Sequence, residues 1–178
     1  MPDKRRLEDL ARLSTDELWK IFNSGKTPEF EKLQSFEFRG WNVPFFAKLI
    51  GIQKFQKGFY AKEGNLPFGY NIPQSQGGLE SPWVSKPSDL SPKRFGFYSV
   101  KKVEPAGVEN KHPHALILNY GEGKNSLFEG AFLRDYIVQV DPDNDDLYLG
   151  AAYLALGPAR VFSNFFIIER LRRHQFKG

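Results

Sequence analysis

The chain contains no cysteine among its 178 residues. That removes disulfides, thiol nucleophiles and thiolate metal sites together, and it fits a reducing, cytoplasmic setting. Long apolar runs are also missing: no segment approaches the ~20 residues needed to cross a bilayer as a helix. Residues 1–25 are charged and helical in pattern rather than a basic start followed by an apolar stretch, so a secretory leader is not expected. Catalytic signatures are scarce as well. No G-x-S-x-G elbow occurs, and the G-x-x-x-x-G-K-[ST] phosphate loop is not met around Gly121 and Gly123, because Leu118 stands at the first Gly position and Asn125 follows Lys124. Carboxylates are too scattered to pick out a glycosidase pair.

What the chain has in excess is rings. It carries 17 Phe, 7 Tyr and 3 Trp, and aliphatic plus aromatic residues make up 40% of it. That is enough apolar material for one globular domain spanning 1–178. Large rings bury much area and leave irregular gaps, so their interior is either a solid ring-packed core or a cavity for a ligand. Net charge is +4, with basic residues at both ends: Lys4, Arg5 and Arg6, then Arg170, Arg172, Arg173, His174 and Lys177. Such clusters can meet nucleic acid or an anionic surface. Two solvated termini are the plainer reading, and no ribonucleoprotein-type pattern of basic and aromatic residues accompanies them.

Periodicity sets the architecture. Leu7, Leu10, Ala11, Leu13, Leu18, Ile21 and Phe22 form one apolar stripe at spacings of three and four. The S-x-x-E box of Ser14 and Glu17 restarts a helix at Thr15, and Gly25 ends it. The period then falls to two. Strands are predicted over 33–41, 53–62 with a bulge or bend at Gly58, 66–72, 95–103, 115–120, 133–140, 147–156 and 161–169, with another including Leu127 and Phe128. A helical turn or two is read over Pro44–Ile50, laid across a barrel mouth or end. The long Pro/Gly-rich segment 73–93, with Trp83 in it, is read as a loop folding back over the mouth. Eight to ten strands joined mostly by short turns describe a mainly β fold with short N-terminal helices, a single antiparallel barrel or a sandwich, and exclude βαβ folds.

Three constellations bear on chemistry. Asp141-Pro142-Asp143-Asn144-Asp145-Asp146 lacks the Gly and Glu of a calcium loop, since Asp146 and Ala152 stand there, and reads as a hairpin turn. His112-Pro113-His114 would need a third ligand, with Glu109 and Glu122 nearest in sequence, and reads as a surface loop; no metal and no cofactor are expected. On strand 133–140, Arg134, Tyr136, Val138 and Val140 share one face and Asp135, Ile137 and Gln139 the other. If the first face points inward, Arg134 and Tyr136 fix the polar head of an apolar ligand; otherwise Arg134 is an outward cross-strand partner.

Certain residues resemble a known family. Phe38-Arg39-Gly40-Trp41, Lys57-Gly58-Phe59 and Leu66-Pro67 echo the first half of the small bacterial proteins of the GXWXG and DUF4334 type, within the calycin superfamily of lipocalin-like barrels. Leu133-Arg134-Asp135-Tyr136, Val140-Asp141, Leu149-Gly150 and Phe165-Phe166-Ile167-Ile168-Glu169-Arg170 echo the second half. The sequence departs from the lipocalin Gly-x-Trp pattern at Arg39. The resemblance implies a barrel that binds a small hydrophobic molecule, and a structural pair in which Trp41 packs beneath Arg170. The pocket expected from these readings is lined by Phe36, Phe38, Phe55, Phe97, Tyr136 and Phe166, with Arg134 as polar contact and Trp83 over the mouth. An enzyme acting on a hydrophobic substrate inside the barrel, and a filled, non-catalytic interaction module, are the alternatives.

Overall fold

The computed structural model describes residues 4–43, 51–123, 125–126 and 130–178. The turn read at Pro44–Ile50 and the strand read at Leu127 and Phe128 lie outside the described residues. Three short helices come first: α1 (Leu7–Ala11), α2 (Thr15–Ser24) and α3 (Phe30–Leu33). Eight strands follow: β1 (Phe36–Asn42), β2 (Lys54–Lys62), β3 (Leu66–Pro73), β4 (Phe95–Lys102), β5 (Leu116–Asn119), β6 (Leu133–Gln139), β7 (Leu147–Leu156) and β8 (Ala159–Arg173). Each pairs antiparallel with the next, and β8 returns to β1, so the sheet closes into a barrel. No described helix is long and apolar enough to cross a membrane.

The N-terminal cap forms as its residues require. The Ser14 side chain accepts from the Glu17 backbone N–H, and the Glu17 carboxylate accepts from the Ser14 N–H at 2.8 Å. The helix it starts buries Leu18 and Phe22. With Leu7 and Leu10 of α1 they cover the outer wall, against Trp41, Tyr136, Val138, Leu149, Phe165 and Ile167. The short α3 instead buries Leu33 among the residues that fill the barrel.

Register sorts the side chains. Paired residues share a face, so Gly40 opposite Phe55 and Ile168 points inward, and Trp41 opposite Lys54 and Ile167 points outward. The interior is filled by Phe38, Phe59, Tyr98, Val100, Leu118, Tyr120, Ile137, Tyr148, Phe166 and Ile168, with Phe38 and Phe59 meeting edge to face at 5.5 Å. A third cluster lies outside β2–β4, where Phe176 of the C-terminal tail packs on Tyr60 and Tyr70.

No bulge falls at Gly58, which pairs with Glu37 on β1 and with Tyr70 on β3 in unbroken register. A Cβ there would sit 2.2 Å from the Tyr70 ring, so the glycine makes room for a cross-strand ring. The bulges fall instead at Glu37/Phe38, Gly69/Asn71 and Ala152/Tyr153.

Candidate functional site

β2 sends Phe55, Lys57 and Phe59 inward, and Lys57 is the exception among them. Its side chain is 3% exposed. Its ammonium donates to Asp135 Oδ2 at 3.0 Å, to Asn71 Oδ1 at 3.1 Å, and to the Tyr120 hydroxyl. Neighbouring strands supply these partners: Asn71 stands opposite Lys57 on β3, Asp135 is inward on β6, and Tyr120 opens the short 3₁₀ turn after β5. The Tyr120 oxygen lies 3.2 Å from Asp135 Oδ2 and accepts from Asn71 Nδ2 at 3.1 Å. Four rings surround the ammonium, with centroids at 4.8 Å (Tyr98), 5.1 Å (Tyr120), 5.2 Å (Phe166) and 5.6 Å (Phe55). One cation is thus held by one carboxylate, two neutral acceptors and a box of π faces.

The electrostatics follow from burial. Desolvation lowers the Lys57 pKa, while the Asp135 carboxylate opposes that shift. Burial, reinforced by the Asp135 charge, raises Tyr120 well above the ordinary phenol value, so its hydroxyl stays protonated at neutral pH. The arrangement can present an ammonium and a phenolic O–H together to an acceptor that enters the barrel. Two glycines make room for the rings beside it. A Cβ on Gly40 would lie 2.3 Å from the Phe55 ring, and one on Gly150 would lie 2.1 Å from Phe166. The bare backbones let both rings lie flat on the wall and meet each other at 5.9 Å. Phe55 and Leu133, both only half-buried, pack against this interior cluster.

The predicted ligand residues separate into two groups. Phe38, Phe55 and Phe166 are inside, and Phe36 packs at the α3 end of the interior. Four expectations of direction are corrected. Arg134 and Tyr136 face outward: Arg134 Nε donates to Glu109 at 2.8 Å, Arg160 donates to the same carboxylate at 2.7 Å, and Tyr136 packs beneath α2. The inward face of β6 carries Asp135 and Ile137 instead. Both faces of this strand are buried, one by the barrel and one by helices, so alternation alone does not distinguish them. Phe97 lies outside, packed on Tyr70 and Phe176 at 6.2 and 6.3 Å. Trp83 does not cover a mouth. It lies on the outer wall, where its Nε1 donates to the Gly40 carbonyl at 3.2 Å and its ring sits between Arg39 and Lys54. The 73–93 segment is fastened there because Gln76 bonds the Lys54 backbone N–H and carbonyl at 2.9 and 2.8 Å, standing in for a missing strand.

The Trp41–Arg170 pair is also corrected. Arg170 lies in register with Phe38 and stacks on Phe36 at 3.8 Å, while Trp41 sits three residues further along β1, facing the helices. The histidines stand on a loop between β4 and β5, as read, but their rings turn in against the helix-covered wall. His112 Nε2 lies 2.8 Å from the Tyr153 hydroxyl, against the rings of Phe22 and Tyr136, and His114 meets the Phe22 carbonyl at 3.0 Å. Burial first, then His114 and Lys111, push His112 down to about 4. Among the described residues no three His, Asp or Glu side chains gather as a metal site. The acidic turn is met by one arginine from each basic end and by a lysine of α3: Arg5 pairs with Asp141, Arg170 with Asp146 at 2.6 Å, and Lys32 with Asp145 at 3.0 Å.

The sequence reading missed Lys57, Asn71 and Tyr120 as a unit. One signal was present: Lys57 occupies the apolar phase of an alternating strand, between Phe55 and Phe59. Its partners come from three other strand regions and leave no local trace. No protein-family model matches the chain, and neither the curated proteins nor the solved structures give a significant match.

Proposed function

We propose that the barrel binds a small aromatic or lipid-like molecule whose hydrogen-bond-accepting head meets Lys57 and Tyr120. The observation that carries this reading is the ammonium buried among rings inside the barrel. A buried ion pair costs several kcal/mol of desolvation per ion, and apolar replacements of equal volume are often neutral or stabilising. Stability therefore does not account for the Lys57 cluster, whereas recognition of an acceptor does. An eight-stranded barrel is wide enough for one small ligand, and the lipocalin-like resemblance points to the same use. A reducing, cytoplasmic setting belongs to the same proposal.

The test is titration of tryptophan fluorescence with fatty acids and flat aromatic acids, for the wild type and Lys57→Met. Saturable binding is expected. The variant is expected to lose the ~1.5–3 kcal/mol of a charged hydrogen bond, roughly 10- to 150-fold in affinity. No saturable binding by any of them leaves a filled, non-catalytic module as the better account. A second reading has its own observation: a Tyr120 hydroxyl within hydrogen-bond reach of the Asp135 carboxylate is an acid–base pair, as an enzyme acting on a hydrophobic substrate would need.

A further inference from the structure

The geometry points to Lys57 as a site of reversible imine formation with an aromatic or unsaturated aldehyde held in the barrel. The inference rests on the ligand-binding reading and adds the class of ligand. An ammonium that only recognised an acceptor would need no proton partners of its own beyond a counterion. Lys57 has two: Asp135 Oδ2 at 3.0 Å and the Tyr120 hydroxyl, themselves 3.2 Å apart. Both are placed for the proton traffic of a condensation. Lys57 passes one proton to Asp135, and the freed amine adds to the carbonyl carbon, forming the C–N bond. Tyr120 relays a second proton from that nitrogen to the new alkoxide, giving a carbinolamine. Asp135 returns its proton to the departing hydroxyl, the C–O bond breaks, and water leaves. The product is an iminium still paired with the Asp135 carboxylate, so net charge is conserved. Burial favours the neutral amine that starts the sequence. The rings of Tyr98 and Phe166, at 4.8 and 5.2 Å from the nitrogen, stabilise the iminium and keep out the water that would hydrolyse it.

The test uses trans-cinnamaldehyde with sodium cyanoborohydride, which reduces an iminium to a stable secondary amine, followed by peptide mapping by mass spectrometry. The modification is expected to concentrate on Lys57 ahead of the exposed lysines. It should vanish from that peptide in Lys57→Arg, which keeps the charge and cannot form an imine. Tyr120→Phe is expected to slow trapping on the order of 100-fold. Cinnamyl alcohol, which binds but cannot condense, is titrated in parallel. Saturable binding of the alcohol with label only on exposed lysines overturns the imine and leaves the binding reading standing. Absence of both overturns the two together.

Discussion

At the residue scale, the molecule is organised around a charge in the wrong medium. Lys57 stands where alternation along β2 asks for an apolar side chain, and Asp135, Asn71 and Tyr120 are arranged to tolerate it. Removing one partner differs sharply from removing both. Asp135→Ala leaves an uncompensated buried ammonium and is expected to cost about 3–5 kcal/mol in urea unfolding. The double variant Lys57→Met, Asp135→Leu is expected to be as stable as the wild type or more so. A small loss in Asp135→Ala would mean that the amine sheds its proton or escapes to water once its counterion is gone. The sequence carried half of this. The mismatch at Lys57 is visible in Phe55-Gln56-Lys57-Gly58-Phe59, but its partners are 14, 63 and 78 residues away.

At the scale of elements, local chemistry was the most legible. The Ser14–Glu17 box starts α2 where it should, and the acidic 141–146 segment is a hairpin turn between β6 and β7. Facing was the least legible, and β6 shows why. Helices cover its outer face with the same apolar pressure that the barrel exerts on the inner one, so Tyr136 and Asp135 were each equally credible inside. His112 belongs to this helix-covered layer, and its titration reports on how α2 is held. Its folded-state pKa, about 4, lies below its ordinary 6.5. The unfolded chain therefore binds the proton first. The stability due to the neutral ring is complete above pH 6.5 and is lost as pH falls towards 4. The ring is only partly buried, so the loss is expected to be about 1–2 kcal/mol after allowance for screening. Urea midpoints at pH 7.5 and 4.5 should fall further for the wild type than for His112→Gln. Equal falls would place the acid sensitivity in other groups.

For the whole molecule, the even succession of period-two segments indicated an antiparallel barrel or sandwich, because short turns leave few other topologies, and the lipocalin-like resemblance pointed to the closed barrel that forms. The position of the helices did not follow from it. An apolar stripe on 7–22 requires burial somewhere, and both an end of the barrel and its wall satisfy that requirement. The wall prevails because Trp41, Tyr136, Leu149 and Phe165 present an apolar outer face that would otherwise meet water. Of the terminal basic residues, Arg5, Arg6 and Arg170 are paired with Asp141, Glu169 and Asp146, and Arg172 with Glu37. The proposed function lies in the interior, and the claim to test is that its buried lysine serves a ligand. Native mass spectrometry of the protein purified from its own host, for the wild type and Lys57→Met, addresses this directly. A small molecule retained by the wild type and absent from the variant is the expected result; bare chain mass in both would contradict it.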